Sequence, residues 1–139
     1  MTSLSTGPAS KMTIGVYKML YETIFATKLD DELYANLKNS NGVHGEIVYM
    51  NGDVACGVIS GEINAKKIKI TSIGVLEAYR RHGAAVSLVN GLIASQKNVE
   101  SISCTFEKSN TALVNLFTKL EFKVAEEAGE NVTYEKNLA

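Results

Sequence analysis

Two adjacent arginines followed by small residues form the part of the sequence best suited to bind a phosphate. Arg80 and Arg81 are the only arginines of the chain, and they lead directly into His82-Gly83-Ala84-Ala85. Arginine presents a planar fork of N–H donors that matches phosphate geometry, and small residues let a phosphate approach the backbone. A helix that begins here would add unpaired backbone N–H groups and the positive end of its dipole. The chemistry predicted for this segment is therefore the binding of a phosphate or pyrophosphate.

Hydrophobic patterns on both sides predict the elements that position this segment. Upstream, the β-branched residues Ile68, Ile70 and Ile73 are separated by polar residues, which is typical of a strand over residues 68–75. Downstream, apolar residues at helical spacing predict a helix over residues 84–97. The arginines therefore follow a strand and precede a helix.

The rest of the chain is predicted to form further helices and strands. Residues 1–10 are small and polar and are expected to be a flexible tail that could hold a short edge strand, and residues 11–139 are expected to be a single domain. The patterns predict helices over 11–25, 31–38 and 110–120 and strands over 46–50, 54–63, 99–106, 122–127 and 131–138. Asn51-Gly52 is typical of a hairpin turn, and Gly57 and Gly61 indicate a bulge or a close backbone neighbour.

Composition argues against several classes of function. The chain has 139 residues, of which 45% are hydrophobic and 21% are charged, as in an ordinary globular domain. A net charge of −1 argues against a nucleic-acid-binding protein, which usually carries a basic excess. The two cysteines and two histidines show no metal-ligand spacing, so no metal is predicted, and Cys56 and Cys104 are expected to be free buried thiols. No apolar run is long enough for a membrane helix and no signal peptide is recognisable, which predicts a cytoplasmic protein that does not bind membranes.

Two motifs resemble those of a known enzyme family. The strand, R-x-x-G-x-A and helix pattern resembles the acetyl-CoA pyrophosphate loop of the GCN5-related N-acetyltransferase (GNAT) superfamily. Residues 109–122 are similar to the second cofactor segment of that family, S-N-x-x-A-x-x-x-Y-x-K-x-G-F, with Phe117 in place of the tyrosine. Within the superfamily, the segments IFATKLDDELY, GVLEAYRRHG and EKNL are most similar to the NatE-type (San) N-terminal acetyltransferases.

The resemblance implies an α/β (α+β) architecture, the GNAT fold, and acetyl-CoA as the cofactor. This fold has a mixed, mostly antiparallel sheet with helices on both faces and a central parallel pair that splays apart, here residues 68–75 and 101–106. The cofactor's pantetheine enters the gap between the two splayed strands. The cofactor-binding residues that the resemblance implies are Ile73, Val75, Arg80, Arg81, His82, Gly83, Ala84, Ala85, Asn110 and Phe117.

On the acceptor side the chain departs from the family. The segment implied to bind the acceptor, between the first two helices, contains Phe25, Ala26, Thr27 and Leu29, and Ala26 and Leu29 stand where NatE enzymes have a proline and a tyrosine. The catalytic tyrosine and histidine of the family correspond to Lys69 and Thr105. A missing general base typically costs about 10²–10⁴ in rate.

Three functional hypotheses follow. The first is acetyl transfer to the α-amine of a peptide or protein N-terminus, by direct attack in a ternary complex with the acceptor in the Lys69–Thr105 gap. An α-amine with a pKa of about 8 is roughly a tenth neutral at pH 7, so it needs less help from a base than a lysine does. The second is a catalytically weak or silent acetyl-CoA-binding subunit that works with other N-terminal acetyltransferase subunits, as the missing tyrosine and histidine suggest. The third is a small-molecule amine acetyltransferase, which the short final hairpin favours.

Four further residues have both a functional and a structural interpretation. His82 could contact phosphate or be a solvated loop residue, and Tyr21 could line an acceptor groove or pack on a helix face. Glu22 resembles an acidic position of other N-terminal acetyltransferases, or it is an exposed helix residue. Cys104 could be a nucleophile or a core residue, and the core is expected, since the family transfers acetyl groups without an acyl-enzyme.

Overall fold

The computed structural model describes residues 2–138, which form one seven-stranded sheet with helices on both faces. In chain order the elements are β1 (Leu4–Pro8), α1 (Ile14–Phe25), α2 (Asp31–Lys38), β2 (Val43–Met50), β3 (Val54–Asn64), β4 (Lys67–Val75), a short 3-10 helix (Glu77–Tyr79), α3 (Ala84–Ala94), β5 (Ser101–Glu107), α4 (Thr111–Lys119), β6 (Lys123–Ala128) and β7 (Asn131–Asn137). The strand order is β1-β2-β3-β4-β5-β7-β6. All neighbouring strands are antiparallel except β4 and β5, which confirms the predicted mixed sheet.

The central parallel pair opens partway along its length, as predicted. The pairing between β4 and β5 ends at Ile70 and Cys104. β4 continues to Val75 and β5 continues to Glu107, but there each strand pairs only with its outer neighbour, β3 or β7. The resulting gap exposes unpaired backbone N–H and C=O groups on two strand edges in the middle of the sheet.

The short edge strand that the predicted N-terminal tail could hold is present at residues 4–8. β1 pairs antiparallel with β2 along its whole length. α3 packs directly on β1, since a Cβ atom added to Gly91 would lie 2.5 Å from Thr6 Oγ1. These contacts come from residues distant in sequence, so a local pattern could not reveal them. Met1 lies outside the described residues.

Local hydrogen bonds determine where the helices begin and end. α1 begins at Ile14, later than predicted, because the Thr13 hydroxyl accepts the Ser10 N–H at 2.9 Å and fixes a turn before the helix. The Asp30 carboxylate accepts a backbone N–H of the first turn of α2 at 3.2 Å and caps the start of this helix. α3 ends at Ala94 and is shorter than the predicted helix over residues 84–97.

Two apolar clusters hold the helices to opposite faces of the sheet. α3 and α4 bury Leu88 and Phe117 against one face, and α1 and α2 bury Tyr17 and Leu37 against the other. All four side chains are fully buried. Burial of such a side chain contributes about 1.5–3 kcal/mol to stability, so each helix is firmly fixed relative to the central gap.

A bulge in β4 controls the side chains that face the gap. The register between β3 and β4 shifts at Ser60/Gly61, where Thr71 is an extra residue in β4. As a result, Thr71 and its neighbour Ser72 both reach the side chain of Ser60. The predicted bulge is therefore confirmed at Gly61, and the predicted close backbone approach is found at Gly57, which lies against β4.

Both cysteines, Cys56 and Cys104, are free and buried, as predicted. Within residues 2–138, no group of three or more His, Cys, Asp or Glu side chains is arranged to hold a metal ion. None of the helices in this range combines the length and the apolar character needed to cross a bilayer.

Candidate active site

The segment predicted to bind phosphate, residues 80–85, has the backbone geometry of an anion-binding helix start. α3 begins at Ala84. In the loop just before it, Arg81 and Gly83 have left-handed backbone conformations with φ of 71° and 83°. A residue other than glycine pays about 1–2 kcal/mol in this conformation, which explains the glycine at position 83. The N–H groups of the first turn of α3 have no partner within the helix. The loop therefore directs several backbone donors toward the end of the central gap.

A cavity of about 200 Å³, here called the phosphate cavity, lies at this helix start. Its lining includes six of the predicted cofactor-binding residues, Val75, Arg80, Arg81, Gly83, Ala84 and Ala85. Lys119, at the end of α4, adds a third cation to the lining. His82 is exposed and lies outside this lining, which favours its interpretation as a solvated loop residue.

The phosphate cavity continues into a groove of about 390 Å³ along the open edge of β4, here called the cofactor groove. The two cavities share Val75, Arg80, Ala85 and Leu116. Ile73 and Val75, which the sequence predicts beside pantetheine, lie in the lining of the groove. The Arg80 Nε–H donates to the Val75 carbonyl at 3.1 Å, so the guanidinium is held where the two cavities join.

The second predicted cofactor segment contributes Asn110 but not the side chain of Phe117. Asn110 lines the cofactor groove, and its Oδ1 accepts the Leu113 N–H at 3.2 Å to cap α4. Phe117 is fully buried and packs against Phe106 and Phe122, with ring centroids 5.7 and 4.9 Å away. The prediction that Phe117 contacts the cofactor is therefore corrected, since this side chain belongs to the core. An aromatic ring without a hydroxyl gains more from this apolar cluster than from a solvated groove.

A third cavity of about 330 Å³, here called the acceptor cavity, opens beside α1 at the same gap. Tyr21 and Phe25 form an aromatic wall on one side, with ring centroids 4.7 Å apart. The acceptor cavity shares Ile73, Asn110 and Leu113 with the cofactor groove. The three cavities thus form one path from the start of α3 to α1, and Tyr21 lines the acceptor end, as one of its two interpretations expected.

The two predicted catalytic positions do not come together in one cavity. Thr105 lines the acceptor cavity, and its hydroxyl lies 2.8 Å from the hydroxyl of Thr133. Lys69 pairs with Ser103 in the closed part of the parallel pair and lines a separate cavity with Glu62 and other polar residues. The predicted Lys69–Thr105 gap is corrected, because the strands separate only beyond Ile70 and Cys104.

The loop between α1 and α2 contributes one predicted acceptor residue to the cavity. Phe25 lines it, whereas Ala26 follows α1 as its C-cap with φ of 54° and Thr27 is exposed. Leu29 is 3% exposed and packs in the core between the sheet and the two helices, so its predicted contact with the acceptor is corrected. Its N–H donates to the Glu22 carboxylate at 3.0 Å, which gives Glu22 a structural role in holding the loop.

The acceptor cavity offers no general base near neutral pH. Among the described residues, those that line it include no histidine, aspartate, glutamate or lysine. Burial raises the pKa of the Cys104 thiol to about 12, which keeps it protonated and supports its assignment to the core. Deprotonation of an amine in this cavity therefore depends on water and on the amine's own pKa.

Two features of the site were missed from the sequence. Lys119 occupies the lysine position of the second cofactor motif, so the motif itself carried a signal for it. Thr71 and Ser72 line the acceptor cavity, and their hydroxyls contact Ser60 beneath it. Two adjacent hydroxyl residues within an otherwise isoleucine-rich strand were a visible signal for a polar site.

The model of the Acetyltransferase (GNAT) family matches residues 14–122, which include every part of the path described above. The chain therefore belongs to the acetyltransferase (GNAT) family, and the predicted superfamily is confirmed. Among curated proteins, it is 23% identical over 130 residues to N-alpha-acetyltransferase 50 of Danio rerio, covering 88% of this chain and 76% of that protein. This similarity agrees with the predicted NatE-type resemblance.

Solved structures share the fold at low sequence identity. Arabidopsis thaliana Naa50, in complex with the bisubstrate analogue CoA-Ac-MVNAL, matches with a TM-score of 0.76 and 19% identity, over 96% of this chain and 98% of that one. AAC(6')-Iy, in complex with the bisubstrate analogue CoA-S-monomethyl-acetylneamine, matches with a TM-score of 0.77 and 16% identity, over 91% and 95% of the two chains. Both complexes contain a CoA-linked analogue, and the family transfers acetyl groups, so acetyl-CoA is confirmed as the cofactor at the level of the family.

Proposed function

We propose that this protein transfers the acetyl group of acetyl-CoA to the α-amine of a peptide or protein N-terminus. The observation that carries the proposal is the continuous path from the phosphate cavity, through the cofactor groove, to the acceptor cavity. A cofactor whose pyrophosphate lies at Arg80 and Gly83 would pass Val75 and Ile73 and present its acetyl end to the acceptor cavity. The similarity to N-alpha-acetyltransferase 50 supports a peptide acceptor.

In the proposed reaction, a neutral amine attacks the carbonyl carbon of the acetyl thioester. A C–N bond forms, the C–S bond breaks, and the proton released by the amine passes through water to the departing thiolate or to solvent. Arg80, Arg81 and Lys119 would neutralise the pyrophosphate, while the open edge of β4 at Ile73 and Val75 would hold the pantetheine. These residues promote the reaction by positioning, which can replace several orders of magnitude of effective concentration.

The lack of a base in the acceptor cavity favours an α-amine over a lysine side chain as the acceptor. At pH 7 an α-amine with a pKa of about 8 is roughly a tenth neutral, whereas a lysine with a pKa of about 10.4 is less than a thousandth neutral. At equal positioning, the α-amine therefore offers at least about a hundredfold more reactive species. This difference is of the same size as the usual contribution of a general base.

The proposal is tested by incubating the protein with radiolabelled acetyl-CoA and three acceptors. These are the peptide Met-Val-Asn-Ala-Leu, its Nα-acetylated form as a blocked control, and spermidine. Label should enter the free peptide and not the blocked one. Arg80→Ala combined with Arg81→Ala should reduce the rate, whereas Lys66→Ala combined with Lys67→Ala, which removes two adjacent cations elsewhere, should leave it unchanged.

Two alternative functions each have an observation in their favour. The absence of a base among the described lining residues favours a silent acetyl-CoA-binding subunit, which would bind the cofactor and label no acceptor. The turn between β6 and β7, Gly129-Glu130, carries no covering loop, which favours a small-molecule acceptor such as spermidine. The cytoplasmic location, the single domain over 11–139, the association with other N-terminal acetyltransferase subunits and the lack of nucleic-acid binding stay predictions from the sequence.

A further inference from the structure

Three hydroxyl side chains meet at the bulge beside the acceptor cavity. The Ser60 hydroxyl lies 2.9 Å from the hydroxyl of Thr71 and 2.6 Å from that of Ser72. The Thr71 hydroxyl also donates to the Ser60 backbone carbonyl at 3.2 Å. Ser60 is fully buried, whereas Thr71 and Ser72 line the cavity.

The hydrogen-bond geometry assigns all three hydroxyl protons to partners inside the protein. A carbonyl oxygen can only accept, so the Thr71 proton is committed to the Ser60 carbonyl. When all three contacts are hydrogen bonds at the same time, the Ser60 hydroxyl donates to Thr71 and the Ser72 hydroxyl donates to Ser60. Each hydroxyl oxygen has two acceptor lone pairs. Thr71 and Ser72 therefore retain lone pairs toward the cavity but have no proton to offer there.

The phenol of Tyr17 lies behind this cluster without bonding to it. Tyr17 is fully buried on α1, and its hydroxyl has no hydrogen-bond partner among the described residues. It lies beside Ser60 and Ser72, although it is outside hydrogen-bonding geometry to either. Burial raises the pKa of this phenol, so it stays protonated.

We propose that Thr71 and Ser72 are positioning residues that bind the reactive amine of the acceptor. Their oxygens accept the two N–H bonds of the neutral amine, so the nitrogen lone pair points away from them, toward the junction with the cofactor groove at Ile73. This assignment deepens the proposed function and rests on it. It explains how an acceptor cavity without a charged lining residue recognises an amine, since acceptor-only oxygens match N–H donors.

The test measures binding without turnover, by calorimetric titration of CoA-saturated protein at pH 9, where most of the α-amine is neutral. The probes are Met-Val-Asn-Ala-Leu and its Nα-acetylated form. Thr71→Val and Ser72→Ala should each weaken binding of the free peptide by about tenfold, the usual effect of one lost hydrogen bond. They should leave binding of the acetylated peptide and of CoA unchanged. Thr71→Ser, which keeps the hydroxyl, should restore wild-type affinity.

Ser103→Ala is the matched control, because Ser103 lies on β5 and lines the separate cavity that contains Lys69. Melting temperatures verify that every variant is folded. Equal affinity of the wild type for the two peptides, or wild-type affinity in both Thr71→Val and Ser72→Ala, would overturn the proposal. Amine-dependent binding in a protein that transfers no acetyl group would refute the proposed function and leave this site intact.

Discussion

Replacing Gly83 with alanine separates phosphate recognition from backbone strain, because the chain contains a matched control. Gly83 and Gly42 have φ of 83° and 77°, and both occupy open space. A Cβ atom at Gly83 would meet only Leu4 Cδ1, at 3.9 Å, and one at Gly42 would meet nothing within 4 Å. Gly42 lies in a cavity beside Gln96, at the other end of α3. The two substitutions therefore impose the same kind of strain at two distant places.

The expected magnitudes follow from the backbone angle and from binding linkage. Left-handed backbone costs a residue with a Cβ about 1–2 kcal/mol, so each variant should melt roughly 3–6 °C below the wild type. Acetyl-CoA at 100 times its Kd stabilises the wild type by about 2.7 kcal/mol, or roughly 8 °C. If the Gly83→Ala methyl group weakens binding tenfold by meeting the phosphate, the stabilisation at the same concentration falls to about 1.4 kcal/mol, roughly half.

The assay is thermal denaturation with and without acetyl-CoA for the wild type and both variants. Without ligand, the melting temperatures of Gly83→Ala and Gly42→Ala should fall below that of the wild type by similar amounts. With ligand, Gly42→Ala should keep the full shift, and Gly83→Ala should keep about half of it. An undiminished shift in Gly83→Ala would instead show that the phosphate binds somewhere other than the start of α3.

Three further predictions address the cations, a buried phenol and a buried thiol. Arg80→Ala combined with Arg81→Ala should weaken acetyl-CoA binding and reduce the dependence of binding on salt, because fewer protein charges are then screened. Titrations with acetyl-CoA at two ionic strengths measure this dependence. An unchanged salt dependence would contradict the prediction. Tyr17→Phe should raise the free energy of unfolding by about 1 kcal/mol, because the phenol is buried with no hydrogen-bond partner among the described residues. Urea denaturation measures this change, and a lower urea midpoint in the variant would disprove the prediction. Burial raises the pKa of Cys104 from 9.0 to about 12, so the thiol ionises first in the unfolded chain. Stability should therefore fall as pH rises from about 9 to about 12, and Cys104→Ala should reduce this slope in stepwise denaturation experiments.

The parts of the site that local patterns determine could be predicted from the sequence. The start of α3 follows from a strand pattern, Gly83 and a helix pattern, and its role as an anion site follows from helix geometry. The family resemblance that those patterns supported predicted two further features. These are the separation of the parallel strands and the cofactor groove beside Ile73 and Val75. The element order was predicted for the same reason, since each helix and strand carries its own periodicity.

The remaining features depend on side-chain direction and on contacts between distant residues. The Thr71 bulge changes which side chains reach the gap. Lys69 lies before the point where β4 and β5 separate, so a motif position could not place it in the acceptor cavity. Phe117 and Leu29 face the core because of packing partners on other elements. β1 has too few apolar residues for a strand pattern, and its order comes from β2 and α3.

The acceptor amine is identified most directly by locating the acetyl group on a peptide that carries both an α-amine and a lysine side chain. The peptide Met-Val-Lys-Ala-Leu is incubated with the protein and acetyl-CoA at pH 7, and the product is fragmented in a mass spectrometer. Acetylation is expected on the α-amine, with the lysine side chain unmodified. Acetylation of the lysine alone, or no acetylation by a protein that binds acetyl-CoA, would contradict this expectation.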